Sequence, residues 1–163
     1  MSLVWTPVYV GLGSNLDEPR AQIERACAAL QALAASRFVR RSSLYRTPPF
    51  GPIEQPDFIN AVAGMLTRQP ARDFLTELKR IEAELGRATP QVRWGPRRID
   101  LDLLVHGRTV LDEPAVRVPH PGIAERAFVL YPLAEVAPAL DVPGAGRVAT
   151  LASRVSQDGI TAL

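Results

Sequence analysis

The amino-acid sequence predicts an α+β fold in which helices pack against one antiparallel β-sheet. Two observations support this prediction: apolar residues recur at helical spacing in two long segments, and four other segments are rich in apolar or β-branched residues. The apolar fraction of 47% and the charged fraction of 22% are ordinary for a globular protein. At 163 residues, the chain is long enough for one domain, residues 1–163, with a buried core.

The first half of the chain predicts a strand, a helix and a second strand. Residues 8–13 form a mostly apolar run that leads into Gly-Ser-Asn, which is typical of a buried strand. A helix is expected to begin near Asp17, because Asp is a good N-cap and Pro19 is tolerated in the first turn. The buried stripe of this helix is predicted to be Ile23, Ala26, Cys27, Leu30 and Leu33. Residues 38–45 are predicted as the second strand, and the prolines that follow exclude regular structure.

The next part of the chain predicts a strand, a helix and another strand. Residues 58–66 are small and apolar, as in a buried strand. A helix over 71–85 is expected to end at Gly86. Its predicted buried stripe is Phe74, Leu75, Leu78, Ile81 and Leu85. After a polar loop, residues 99–105 predict the fourth strand.

The resulting order β-α-β-β-α-β is that of the ferredoxin-like arrangement. Its antiparallel sheet carries both helices on one face and exposes the alternating side chains of the other face. Gly107 predicts a turn into a short segment at 109–111, and short helices are expected at 124–130, 133–136 and 148–155. These elements would extend the sheet and add helices after the core. Because this arrangement hosts many functions, the function has to come from the site residues.

Composition and targeting signals narrow the functional classes. Cys27 is the only cysteine, so an internal disulfide is excluded and a reducing compartment is expected. We interpret Cys27 as a small core residue and not as a nucleophile. The sequence has neither an apolar run of membrane-spanning length nor a signal-peptide pattern, so we expect a cytoplasmic protein without a membrane partner. The net charge of +2 is too small to indicate nucleic-acid binding by itself.

Asp100 and Asp102 stand out on the fourth strand, where they alternate with apolar residues. Two carboxylates at i and i+2 lie about 6–7 Å apart on one strand face. With ~5–6 Å between the charges and an effective dielectric of ~20, they repel each other by roughly 3 kcal/mol, so a compensating cation is expected. The candidates are Mg²⁺, which binds one or two carboxylates together with substrate phosphates, and the arginines Arg93, Arg97 and Arg98.

Several interpretations of this acidic strand remain open at this point. The acid pair and the arginine cluster together suggest a metal–nucleotide site, since a guanidinium group also binds phosphate oxygens in a bidentate fashion. Alternatively, the Asp and Arg side chains pair with one another on a solvated strand face. A nucleotidyl- or glycosyltransferase with an Asp-x-Asp metal site is another alternative. An RNA-binding domain of ferredoxin-like fold is disfavoured, because the acids would repel phosphate.

Six local motifs occur in the order and at the spacing of one known family. They are Gly11–Leu16, Tyr45–Gly51, Gln55–Ala61, Arg93–Asp102, Val118–Pro121 and Arg126–Leu133. Over residues 8–140 the chain thereby resembles the 6-hydroxymethyl-7,8-dihydropterin pyrophosphokinase family of folate biosynthesis. It differs at Pro121, where the family often has an aromatic residue, at Thr89-Pro90-Gln91, where basic residues are common, and at Phe58, where Tyr is frequent.

The resemblance implies that pyrophosphate is transferred from ATP to the pterin hydroxymethyl oxygen, with AMP as leaving group and two Mg²⁺ ions as cofactors. It implies that Asp100 and Asp102 bind the metal ions and that Arg87 and Arg97 hold the phosphates in the transition state. The partners are then small molecules and neither nucleic acid nor membrane, and we expect a monomer. We also expect the polar loop 87–96 to close over the substrates as a lid.

The resemblance also assigns residues to each substrate. Those assigned to ATP are Lys79, Glu82, Arg93, Trp94, Arg97, Leu103, His120 and Arg126. Those assigned to the pterin are Thr47, Pro48, Phe50, Phe58, Asn60, Trp94, Asp100 and Phe128. Several have an ordinary structural alternative: Glu82 as a solvated helix charge, and both Phe58 and Phe128 as core residues. For His120 we expect a neutral or cationic hydrogen-bond donor to phosphate.

Overall fold

The structure, a computed structural model, describes residues 3–49, 51–86 and 95–163 and confirms the α+β fold. Its core elements are β1 (Thr6–Ser14), α1 (Pro19–Gln31), β2 (Ser36–Arg41), β3 (Tyr45–Thr47), β4 (Phe58–Thr67), α2 (Ala71–Glu84) and β5 (Asp100–His106). They are followed by β6 (Leu111–Asp112), β7 (Arg117–Val118), α3 (Ala127–Val136), β8 (Asp141–Val142), β9 (Gly146–Arg147), α4 (Val148–Ser153) and β10 (Thr161–Ala162). Within these ranges no helix is both long and apolar enough to cross a membrane.

The main sheet is antiparallel and has the strand order β10-β3-β4-β1-β5, with β2 also paired to β4. The predicted second strand is therefore two strands that share β4 as a neighbour. Between them, Ser42 donates its backbone N–H to the Val62 carbonyl at 2.8 Å, and its hydroxyl accepts the Val62 N–H at 2.9 Å. A side-chain oxygen thus takes the place of a strand carbonyl, which is why the predicted continuous strand is broken here.

The sheet is packed on both faces. On the first face, α1 and α2 bury most of the predicted stripe residues, with Ile23, Leu30 and Phe74 at 0% exposure. Leu75 and Leu85 are half-buried. On the second face, α3 and α4 cover Val62, Leu104 and neighbouring apolar residues. The expectation of an exposed second face was wrong, because the segment after β5 supplies two helices that bury it. The part of this face that α3 and α4 leave open becomes the site described below.

A β-bulge in β5 changes which face its later residues occupy. Val10 pairs with Leu103 and Tyr9 pairs with Val105, so Leu104 is an extra residue in the strand. Leu101 and Leu103 pack in the first core, as the alternation predicts, whereas Val105 packs with Leu104 in the second. The predicted alternation through Val105 therefore holds only up to the bulge.

Two helix predictions also required correction. Asp17 does not cap α1, because its carboxylate accepts a hydrogen bond from Arg98 Nε at 2.7 Å, and Glu18 occupies the N-cap position without a side-chain cap. The helices expected at 124–130 and 133–136 are one continuous helix, α3, with Pro132 inside it. Pro132 is buried on the side of α3 that packs on the sheet, so tertiary packing offsets the missing N–H. The last helix, α4, ends two residues earlier than expected.

We predict that the Cys27 thiol is chemically inert in the folded protein. Only 5% of the residue is exposed, and burial raises its pKa to about 11 although Arg41 acts in the opposite direction. At pH 8 the reactive thiolate is then about one part in a thousand. Ellman's reagent should modify no thiol in native protein and one equivalent after unfolding in guanidinium chloride. Rapid native modification would contradict the buried placement.

Candidate active site

A cavity of about 300 Å³ opens on the second face of the sheet, beside β1, β4 and β5. We refer to it as the main cavity. Its lining residues are Gly11, Leu12, Gly13, Thr47, Pro48, Phe58, Asn60, Ala61, Gly95, Arg97, Asp100, Asp102, His120, Arg126, Phe128 and Val129. Ten of the residues proposed from the sequence for the site are therefore brought together here.

Two glycines of β1 form the floor of the main cavity. Gly11 pairs with Asp102 and Gly13 pairs with Asp100, so the acidic side chains stand beside positions that carry no side chain. A Cβ atom at Gly13 would lie 2.8 Å from Asn60 Oδ1, which is too close for a stable contact. Glycine at this position therefore leaves room for the Asn60 amide beside the cavity. Sequence reasoning assigned these glycines no role, although glycine inside a strand often marks close approach of a ligand.

One wall of the main cavity combines an amide with aromatic rings. Asn60 Nδ2 donates a hydrogen bond to Thr47 Oγ1 at 2.6 Å, and both residues are buried. This bond fixes the Asn60 amide with its oxygen directed toward Gly13. Phe58 pairs with Thr47 across β3 and β4, while Phe128 approaches from α3 and carries the Arg126 guanidinium 5.7 Å from its ring centroid. The arrangement provides aromatic surfaces and a fixed polar edge for a flat polar ring.

The opposite wall holds the acidic pair and one arginine. Arg97 Nε lies 3.6 Å from Asp100 Oδ2, and only 14% of the Arg97 side chain is exposed. Arg97 Nη1 also donates to the carbonyls of Gly95 and Pro96, each at 3.1 Å. These bonds hold the guanidinium group beside the carboxylate. Arg97 is therefore one compensating cation of the kind that the sequence predicted.

The neighbouring arginine, Arg98, points elsewhere and is a structural residue. It donates to Asp17 at the start of α1 and, through Nη1, to the Gly86 carbonyl at 3.2 Å. These bonds direct the Arg98 side chain toward α1 and the end of α2, whereas the Arg97 side chain faces Asp100. The proposal of Arg98 as a cation for the aspartates was wrong for this reason.

A second cavity of about 230 Å³ adjoins the main cavity on the other side of β5. We refer to it as the side cavity. It is lined by Leu75, Lys79, Leu101, Asp102, Leu103, Pro114, Ala115, Arg117, Val118, His120 and Pro121. Asp102 and His120 line both cavities and so mark the place where the two meet. The hairpin of β6 and β7, which supplies Arg117, was not recognised from sequence as part of a site.

His120 is held so that one ring nitrogen faces away from the backbone. The ring Nδ1 accepts the Gly122 N–H at 3.1 Å. The backbone N–H of His120 donates to the Leu104 carbonyl at 2.9 Å. Burial lowers the pKa of His120, partly opposed by the Asp102 carboxylate and reinforced by Arg126 and Lys79. The neutral ring then carries its proton on Nε2 and is a hydrogen-bond donor at neutral pH. Of the two forms expected from the sequence, these contacts favour the neutral one.

Glu82 of α2 anchors β5, the strand that carries the two aspartates. The residue is 1% exposed, and its Oε2 accepts the N–H of Leu101, between the two aspartates, at 2.9 Å. Lys79 Nζ lies 3.1 Å from Glu82 Oε1. Glu82 is absent from the described lining of either cavity, so its contacts are those of an anchor for β5. The alternative of a solvated helix charge was wrong, because the carboxylate is buried.

Asn15, which sequence reasoning did not single out, joins the two sides of the site. Its Oδ1 accepts the Arg97 N–H at 2.8 Å. Its Nδ2 donates to Gln55 Oε1 and to the Pro56 carbonyl, each at 2.9 Å. The buried amide thereby fixes Arg97 relative to the proline-rich loop. The available signal was a polar amide at the end of an apolar strand.

Four of the proposed site residues lie outside the described residues. They are Phe50, Arg87, Arg93 and Trp94. Residues 87–94 of the loop expected to act as a lid also lie outside them.

The structure is an α+β fold in which two adjoining cavities share Asp102 and His120. A sequence profile of the 7,8-dihydro-6-hydroxymethylpterin-pyrophosphokinase (HPPK) family matches residues 9–138. The chain belongs to this family.

Relatives of known name agree with this assignment. A Pseudomonas aeruginosa protein named 2-amino-4-hydroxy-6-hydroxymethyldihydropteridine pyrophosphokinase is 46% identical over 156 residues, which is 96% of each chain. The protein of the same name from Haemophilus influenzae is 41% identical over 135 residues, covering 83% of this chain and 84% of its own.

Solved structures agree on the fold. The wild-type HPPK-DHPS protein of Plasmodium falciparum aligns with 93% of this chain at a TM-score of 0.68 and 13% identity. An HPPK-DHPS protein in complex with substrates aligns with 91% at a TM-score of 0.71 and 10% identity. The chain spans 41% and 43% of the lengths of those two proteins.

We predict that Glu82 stabilises the fold far more than a neighbouring surface glutamate. Glu82→Ala leaves the buried Leu101 N–H without its acceptor and should lower the free energy of unfolding by about 3 kcal/mol. Glu82→Gln keeps an acceptor and should cost less. The matched control is Glu84→Ala on the same helix, which breaks an exposed ion pair with Arg80 and should change the free energy of unfolding far less. Equal effects of the two alanine variants in urea unfolding would contradict the anchoring role.

Proposed function

We propose that the main cavity binds the pterin and that the side cavity binds ATP. The chain transfers a pyrophosphoryl group from ATP to 6-hydroxymethyl-7,8-dihydropterin, in folate biosynthesis. The observation that carries the site assignment is that Asp102 and His120 line both cavities. Two substrates bound on either side of these residues would meet at the acidic pair.

The chemistry of the main cavity supports the pterin assignment. A pterin is a flat heteroaromatic ring with hydrogen-bond donors and acceptors along its edge. Phe58 and Phe128 offer ring surfaces, and the Asn60 amide is held by Thr47 with its oxygen available as an acceptor. Pro48 lines the same wall. The hydroxymethyl group of a pterin in this position would be directed toward Asp100 and Asp102.

The side cavity supports the ATP assignment. Leu75, Leu101 and Leu103 provide apolar surface for a nucleobase. Lys79 and His120 provide donors for phosphate oxygens, and Arg126 and Arg97 lie beyond them in the main cavity. Positive charge thus extends from the side cavity toward the acidic pair, along the path of a triphosphate. For Glu82 we propose an indirect role, through its contacts with Leu101 and Lys79.

The donor set at the acidic pair fits Mg²⁺. Among the described residues there is no group of three or more carboxylate, histidine or cysteine side chains that could hold a metal ion. Two aspartates that leave the other ligand positions to water and phosphate oxygens are the usual protein contribution to a magnesium–nucleotide site. We propose that Asp100 and Asp102 hold two Mg²⁺ ions. When bound, such ions neutralise the charge that develops on the phosphate oxygens.

The roles of the chain's own residues follow from the bonds that change. Release of AMP requires the hydroxymethyl oxygen to attack the β-phosphorus in line with the bridging oxygen of the AMP phosphate. Asn60 and the aromatic rings would orient the attacking oxygen. Arg97, already held beside Asp100, would stabilise the pyrophosphoryl group in the transition state, and His120 Nε2 would donate to a phosphate oxygen. By resemblance alone, we assign Arg87 to the phosphates in the transition state, Arg93 to ATP, Trp94 to both substrates and Phe50 to the pterin.

We further propose a single-domain enzyme that acts as a monomer in the cytoplasm. One chain supplies the described lining of both cavities, so a second copy is not needed to complete them. Its substrates are small molecules, and no role for nucleic acid or membrane enters the proposal.

Replacing one aspartate tests the metal assignment. Asp102→Asn keeps the shape of the side chain but removes its charge, and we expect turnover to fall by about 10³-fold or more, since charge neutralisation is lost. The fold should persist, because removal of a like-charge repulsion costs no stability. AMP release from ATP with the pterin and Mg²⁺ measures turnover, with exposed Asp141→Asn as the matched control. Turnover within a few-fold of the unsubstituted chain at saturating Mg²⁺ would overturn the assignment.

Two glycine substitutions test the pterin assignment. A methyl group at Gly13 would displace the Asn60 amide, whereas at Gly11 it would meet Leu104 at an ordinary distance of 3.5 Å. We expect Gly13→Ala to weaken pterin binding by about tenfold or more, corresponding to the cost of overpacking. Gly11→Ala should have a much smaller effect. Calorimetric titration of each variant with the pterin measures both, and equal affinities would argue against Asn60 as a pterin contact.

A further inference from the structure

The last strand of the described chain completes the sheet next to the main cavity. β10 pairs with β3 through Thr161 opposite Arg46 and Ala162 opposite Tyr45. The N–H of Leu163 also donates to the Leu44 carbonyl at 2.8 Å. Because β3 has only three residues, β10 and β4 together hold it on both sides. Without β10, β3 would be a very short edge strand, and such strands open at little cost.

The turn before β10 touches the cavity wall. Gly159 has a φ of +80°, and a Cβ atom there would lie 3.2 Å from Pro48 Cγ and 3.3 Å from Pro48 Cδ. The backbone of this turn therefore packs directly against Pro48, which lines the main cavity next to Thr47. Residue 159 itself is absent from the described cavity lining, so any influence on a ligand passes through Pro48.

The other end of the same segment is fixed to α3. Tyr131 donates its hydroxyl hydrogen to the Val155 carbonyl. Tyr131 lies three residues after Phe128, which faces the cavity from the same helix. The Tyr45 hydroxyl also donates a hydrogen bond to Glu135 Oε1 at 2.6 Å, which joins β3 to α3. The chain from Val155 to β10 adds a contact with Pro48, which the hydrogen bond between Tyr45 and Glu135 does not provide.

We propose that residues 155–163, the positioning segment, set the separation between the two walls of the main cavity and thereby the affinity for the pterin. The segment links α3, which carries Phe128, to β3, which leads into Thr47 and Pro48. None of its residues is in the described lining of the side cavity, which comes from α2, β5 and the segment 114–121. Its effect should therefore fall on the pterin and leave ATP binding unchanged. The proposal rests on the proposed assignment of the main cavity to the pterin.

Two point variants of the full chain test the segment at its two ends. Gly159→Ala places a methyl group against Pro48, and Tyr131→Phe removes only the hydroxyl that holds Val155. The matched control is Gly144→Ala, since Gly144 has a similar φ of +74° but no described atom within 4 Å of its Cβ position. Both alanine variants carry the same kind of backbone strain, so only the contact with Pro48 differs between them.

The readouts are the pterin Kd, measured with Mg²⁺ and a non-hydrolysable ATP analogue, the Kd of that analogue, and kcat with both substrates saturating. We expect the pterin Kd to rise about tenfold in Gly159→Ala and about threefold in Tyr131→Phe. The Kd of the analogue and kcat should stay within twofold, and Gly144→Ala should resemble the unsubstituted chain. A purely structural role would lower thermal stability without this selectivity for one substrate.

The outcomes separate the proposal from the cavity assignment. An unchanged pterin Kd in both segment variants, an equal loss of pterin and ATP analogue, or an equal loss in Gly144→Ala would each overturn the positioning role. Asn60→Ala serves as the reference for the cavity itself. If Asn60→Ala weakens pterin binding while the segment variants do not, only the positioning role fails. If Asn60→Ala also leaves the Kd unchanged, the pterin assignment fails first.

Discussion

The carboxylates of Asp100 and Asp102 share one face of β5. Like charges about 5–6 Å apart repel by roughly 3 kcal/mol at an effective dielectric of ~20. The surrounding structure accommodates this repulsion from several directions. Gly11 and Gly13 leave open space beside the pair, and Arg97 lies 3.6 Å from Asp100. From the opposite face, the buried Glu82 carboxylate fixes the strand through the Leu101 N–H. The repulsion favours binding of cations and of the phosphates that accompany them.

Local periodicity predicted the parts of the fold that depend on one face of one element. The apolar stripes of α1 and α2, and the alternation of β5 up to Leu103, follow directly from 3.6- and two-residue periods. The bulge at Leu104 and the covering of the second face by α3 and α4 depend on contacts between distant segments. No local pattern encodes such contacts.

The candidate site was predictable to a different extent for each kind of residue. The acidic pair could be found from spacing and charge alone. Phe58 and Phe128 required the family resemblance, since their aromatic side chains are equally typical of a core. Asn15 was missed because its role lies in three hydrogen bonds to segments 40 or more residues away. Residues that position a site therefore leave a weaker signal in the sequence than residues that carry charge.

We propose that the two cavities meet at a divalent cation held by Asp100 and Asp102. Paramagnetic broadening of backbone amide signals tests this claim directly, with Mn²⁺ in place of Mg²⁺ and a non-hydrolysable ATP analogue and the pterin both bound. We expect the strongest broadening at Gly11, Gly13, Asp102 and His120, because these residues surround the junction of the two cavities. Broadening centred elsewhere, with these four signals unaffected, would contradict it.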